Sequence, residues 1–167
     1  MPNTYTLIAS NTVSTAVASV TFSSIAATYT DLLVKTSSRQ SDNNNLLYIT
    51  FNGSSSSYTN RRLYGDGATA SSDTGGTAFF NPTATVSNSN TAHTFGTLDM
   101  YIPNYTSANY KSVSIDSATE NNATTAYAML DAGLWSNTAA ITSITFTAVA
   151  ANLVQYSTFY LYGIKNS

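Results

Sequence analysis

The stretch Thr97-Leu98-Asp99-Met100-Tyr101-Ile102, closed by Pro103-Asn104, changes character at every residue. Leu98, Met100 and Ile102 are apolar, while Thr97, Asp99 and Tyr101 each carry a polar group. A strand sends successive side chains to opposite faces, so this pattern gives one core face and one face for water or a partner. A helix would scatter the same residues around its circumference. Pro103 ends the run, because it has no N–H for a sheet ladder and favours a turn. The stretch is a half-buried strand, and much of the chain repeats its logic.

Val113 and Ile115 alternate with Ser112, Ser114 and Asp116. Leu47, Ile49 and Phe51 alternate with Tyr48, Thr50 and Asn52, and Val20 and Phe22 with Ser19, Thr21 and Ser23. Leu32 and Val34 oppose Leu33 and Lys35, and Ile144 and Phe146 oppose Ser143, Thr145 and Thr147. Phe159 and Leu161 oppose Tyr160 and Tyr162. Between the runs stand turn signals: Asn43-Asn44-Asn45, Asn52-Gly53, Gly65-Asp66-Gly67, Gly75-Gly76 and Asn81-Pro82. About eight to ten short strands joined this way predict an all-β fold. The expected architecture is an antiparallel β-sandwich of jelly-roll type, one domain over residues 1–167. The amphipathic helices that a parallel βαβ fold needs are not found. Residues 119–134 would give a helix turn through Ala126, Met129 and Leu130, but a strand through Tyr127 and Met129 is preferred. Residues 53–90, rich in Gly, Ser, Thr and Asn, read as long loops at one end of the sandwich, with a short strand at 61–64.

Composition agrees. The chain has 24 Ser, 27 Thr and 17 Asn among 167 residues, but one Glu (Glu120) and three Lys. Good helix formers are scarce and β-branched and aromatic residues are plentiful, which favours strands. The apolar fraction of 43% is too high for disorder. A chain of this size buries about 70% of its unfolded surface and folds without staples. With no cysteine there is no disulfide framework and no thiolate metal site. Charged residues are only 8% and the net charge is -2. No basic excess supports nucleic-acid binding. So little charge repels weakly, which points to a protein covered by neighbours in an assembly. The start of the chain has no cationic and apolar secretion signal, and no window is long and apolar enough for a membrane helix. A small outer-membrane barrel also alternates, and is set aside for want of that signal.

Catalytic chemistry finds little support. A Ser-His-Asp triad would need His93, which sits in a Ser/Asn/Thr-rich stretch and reads as a solvated loop residue. One histidine without cysteine removes a conventional zinc site. The carboxylates Asp31, Asp42, Asp66, Asp73, Asp99, Asp116, Glu120 and Asp131 are candidates for a glycosidase pair, but nothing brings two together. Asp42, Asp66 and Asp73 could offer oxygens to calcium, though no EF-hand loop is present. The reading is therefore no enzyme, no catalytic or metal residues and no cofactor.

Binding is better served. Twelve tyrosines are many for this length. Tyr48, Tyr101, Tyr160 and Tyr162 fall on strand faces opposite the aliphatic one. Tyrosine joins an apolar ring to a polar tip and suits protein and sugar interfaces. Arg61-Arg62 is the one basic doublet and could pair with a partner's carboxylates. These six residues are the candidate partner-binding set.

Five segments together carry a family resemblance. They are Tyr5-Thr-Leu-Ile-Ala-Ser10, Ala18-Ser-Val-Thr-Phe-Ser-Ser-Ile25, Tyr29-Thr-Asp-Leu-Leu-Val34, Gly133-Leu-Trp-Ser-Asn-Thr-Ala-Ala-Ile-Thr-Ser-Ile144 and Tyr160-Leu-Tyr-Gly-Ile164. The chain resembles small virion structural proteins of tailed bacteriophages, especially phages of aquatic bacteria and cyanobacteria. The resemblance implies a jelly-roll-like module on the particle, assembled in the host cytoplasm, and brings no catalytic residues. The expected function is capsid decoration or cementing. The expected partners are other copies in a homotrimer and the major capsid protein or tail proteins. The alternative is a tail-associated module that binds a host surface glycan.

Overall fold

The computed structural model describes residues 4–122, 126–149 and 151–165. Eleven strands form two antiparallel sheets packed as a sandwich. The large sheet holds β1 (Tyr5–Thr12), β3 (Asp31–Ser38), β5 (Tyr58–Gly65), β6 (Ala70–Thr74), β7 (Gly96–Ile102), β8 (Lys111–Ala118), β9 (Ala128–Trp135) and β11 (Thr158–Ile164). Their order across the sheet is β1-β11-β3-β7-β8-β9-β5-β6. The small sheet holds β2 (Ser19–Phe22), β4 (Leu47–Phe51) and β10 (Ile144–Ala148), in the order β2-β10-β4. The all-β antiparallel sandwich is as expected; the strands divide eight to three, and this order does not by itself establish jelly-roll wiring.

The alternating runs set the core. Leu32, Val34, Leu98, Met100, Ile102, Val113, Ile115, Phe159 and Leu161 point inward from the large sheet and are buried. Val20, Phe22, Leu47, Ile49, Phe51, Ile144 and Phe146 meet them from the small sheet, also buried. Each such side chain contributes roughly 1.5–3 kcal/mol by leaving water. An aromatic cluster fills the end near β5 and β9. Phe80 stands edge-on to Tyr58 at 4.9 Å and to Phe51 at 5.5 Å, and Trp135 edge-on to Phe51 at 5.7 Å. Gly133 makes that cluster possible, because a Cβ there would meet Phe80 at 2.6 Å and Val113 at 2.7 Å.

Residues 53–90 depart from the expectation of long loops. They contain β5 and β6, with β5 running from Tyr58 to Gly65 rather than over 61–64 alone. Its inward positions include Asn60 and Arg62, so its apolar alternation is weak. Residues 80–87 follow, mostly buried, and bridge β4 at Ile49↔Phe80. They cover the edge of the small sheet without forming a regular strand. The strand preferred within 119–134 is present as β9; residues 123–125 lie outside the described residues.

Candidate interaction face

Among the described residues most of the outer face of the large sheet is open, and register fixes its rows. One row runs Leu7, Tyr162, Leu33, Tyr101, Ser114, Ala132, Arg61, Thr74. The next runs Ser10, Tyr160, Lys35, Asp99, Asp116, Leu130, Leu63, Ser72. Leu7, Leu63 and Leu130 are each more than half exposed, at 53%, 57% and 55%. Isolated exposed apolar side chains such as Leu7 are ordinary, whereas Leu63 and Leu130 lie directly opposite each other across β5 and β9 and form a contiguous apolar spot.

The face has two halves. On β1, β11, β3 and β7 it is aromatic. Tyr160 and Tyr162 stack with ring centroids 6.4 Å apart. The Tyr101 hydroxyl donates to Asp31 Oδ2 at 2.9 Å, while Asp31 Oδ1 accepts the Asn104 N–H at 2.8 Å. That hydrogen bond, with burial behind it, raises the Tyr101 pKa. The ring is thus fixed at its tip and open on its face. A shallow depression beside it is lined by Tyr5, Leu33, Lys35, Asp99 and Tyr162.

On β8, β9 and β5 the face is aliphatic and small: Leu63, Leu130 and Ala132, with Ser114 and Arg61 around them. A second shallow depression lies among Arg61, Tyr101, Ser114 and Leu130.

Charges on the face are few. Lys35 Nζ pairs with Asp99 Oδ2 at 2.5 Å. Asp116 lies directly opposite Asp99 across β7 and β8 and, among the described residues, has no cation. Like charges in that position destabilise a sheet. Of the cations elsewhere, Arg39 and Lys111 are committed. Arg39 donates to the carbonyls of Thr91, Thr94, Asn88 and Asn90, and buried Lys111 to those of Ser107 and Asn109. Burial lowers the pKa of both.

The six expected residues separate. Tyr101, Tyr160 and Tyr162 come together on the aromatic half, and Arg61 shares their face at its far side. Arg62, one residue on, points the other way. It grips Asp73 of β6 with Nε–Oδ1 2.5 Å and Nη2–Oδ2 2.8 Å, and donates Nη1 to the Asn81 carbonyl. Tyr48 lies on the small sheet, half-buried, stacked on Phe79 at 3.7 Å. Tyr5, Leu7, Leu63 and Leu130 join the face without having been singled out, and Asp116, named above only as a candidate carboxylate, joins it too. The available signal was an apolar residue on the polar side of an alternating run.

Between Leu130 and Ala132, β9 turns one carboxylate inward. Asp131 is 2% exposed, and neither carboxylate oxygen has a hydrogen-bond donor among the described residues. Burial raises its pKa from 3.8 to about 6, against the pull of Arg62 and with help from Asp73.

The other carboxylates serve locally. Asp66 accepts the Ala68 and Thr69 N–H groups of its own turn, which lower its pKa, and Asp42 accepts that of Asn44. With Asp73 on Arg62, the three candidate calcium ligands each have another task. Among the described residues no three His, Cys, Asp or Glu side chains gather as a metal site. Exposed His93 sits in a turn with positive φ.

Set against protein-family models, curated proteins and solved structures, the chain finds no match.

Proposed function

We propose that this chain is a bacteriophage virion structural protein that decorates and cements the head shell. The observation that carries the reading is the exposed aromatic half of the large sheet, with Tyr160, Tyr162, Tyr101, Tyr5 and Leu7 on one face. Ring area of this kind, rigid and tipped with hydroxyls, suits a permanent protein contact at low entropic cost. The phage-protein resemblance and the scarcity of charge support the same reading. The partner is the major capsid protein, and the action is binding without chemistry.

Co-sedimentation with expanded, undecorated shells tests this. The wild-type chain is expected to sediment with the shells, and Tyr162→Ala to weaken that binding at least tenfold while remaining folded. A chain left entirely in the supernatant overturns the reading.

A tail-associated glycan-binding module is the second reading. It is favoured by the depression where Tyr5 and Tyr162 flank Lys35 and Asp99. Rings beside a charged, hydrogen-bonding pair are what a sugar's apolar face and hydroxyls require. A glycan array separates the two: specific glycan affinity, lost in Tyr162→Ala, supports the tail module, and an empty array favours the shell.

A further inference from the structure

We propose that the aliphatic half of the outer face binds a second copy of this chain about a twofold axis, with Arg61 of each copy on the partner's Asp116. The proposal does not rest on where in a particle the module is used.

Six residues form a grid on this half of the face. Register places Arg61, Ala132 and Ser114 in one row across β5, β9 and β8, and Leu63, Leu130 and Asp116 in the next. All six are exposed. Arg61 and Asp116 therefore occupy opposite corners, and Leu130 and Ala132 stand between them. With strands about 4.8 Å apart and about 3.4 Å per residue, the corners are roughly 12 Å apart.

Each corner lacks what the other offers. Arg61 makes one hydrogen bond, from Nη1 to its own Asn60 carbonyl, and neither ion pair among the described residues uses it. Asp116 faces Asp99 without a cation of its own, because Lys35 is held by Asp99 from the other side. The two charges do not pair within one chain. A twofold axis lying in the interface, across the middle of that diagonal, brings each onto the other's counterpart.

The same operation disposes of the apolar residues. Leu130 of one copy falls beside the partner's Leu63, and Ala132 beside the partner's Ser114. The small pair lets the sheets approach while the leucines fill the gap. The strands of the two sheets cross steeply, as in orthogonal sheet packing. A self-complementary patch of this kind is what a twofold interface demands. It encloses two charge pairs and four leucines, and it relieves the carboxylate repulsion at Asp99 and Asp116 twice.

Solution mass by light scattering, over a concentration series, tests the proposal. The wild type is expected at twice the 17.7 kDa of the chain at micromolar concentration. Arg61→Glu and Asp116→Arg each put like charges at both contacts, and each is expected to raise the dissociation constant at least tenfold. Mixing these two variants restores opposite charges at both contacts, so a dimer of one copy of each is expected to return. The mixture also guards against misfolding, since a collapsed variant cannot rescue its partner. A wild-type monomer at every concentration, a threefold mass, or single variants that the mixture does not rescue would each overturn the proposal.

Discussion

The two faces of β9 make an instructive pair. Its outer positions are Ala128, Leu130, Ala132 and Leu134; its inner positions are Met129, Asp131, Gly133 and Trp135. The exposed side is the more uniformly apolar. Here the rule that aliphatic residues face the core is inverted, whereas on β7 it holds at every residue from Thr97 to Ile102. Stability explains the β7 pattern fully. It does not explain a β9 that exposes leucine and buries a carboxylate. Folding alone accounts for β7, while the outer side of β9 is the surface to which the proposed contact between copies is assigned.

The sharpest way to break this comparison is to charge both sides of neighbouring strands. Ile115→Asp, on the inner face of β8, buries an unpaired carboxylate and is expected to cost about 4 kcal/mol or more. Loss of the cooperative melt would show it. A native-like melt would mean that the inner face is not the core there.

Asp131 gives the next effect. A carboxyl whose pKa rises on folding leaves the folded state with more protons than the unfolded one between the two values. Stability therefore falls as pH rises through that window. With 3.8 raised to about 6, the loss between pH 4 and pH 7 is on the order of 2–3 kcal/mol. Urea unfolding at pH 4 and pH 7 measures it. Asp131→Asn is expected to remove most of this slope and to be the more stable protein at pH 7.

The Arg62–Asp73 pair sharpens the picture at the sheet's end. It is bidentate but partly exposed, so Asp73→Asn is expected to cost about 1 kcal/mol. Faster amide exchange confined to β6 would locate the loss at the edge strand.

Much of this was legible in the sequence. The runs at 97–102, 112–116 and 159–162 place their apolar residues in the core as expected, and with them the outer tyrosines Tyr101, Tyr160 and Tyr162. What escaped has physical reasons. β5 alternates Tyr58, Asn60 and Arg62 inward with Thr59, Arg61 and Leu63 outward, so neither side reads as apolar. Arg61 and Arg62 look like one basic unit, yet a strand sends neighbours to opposite faces. Residues 80–87 are buried but rich in Thr, with Pro82 among them, and so resemble a loop. The opposition of Asp99 and Asp116 depends on register between β7 and β8, which no run shows alone.

The smallest expected effect on the fold is also the most telling about the surface. Leu130→Asp changes the exposed side of β9 and is expected to alter the monomer's own stability by less than about 0.5 kcal/mol. Its solution mass, measured beside the wild type with unfolding followed in the same samples, tests whether the outer side of β9 joins two copies. The mass is expected to fall by half while a single cooperative transition remains, losing only the concentration-dependent part of its stability. An unchanged mass, or a chain that no longer folds, would contradict it.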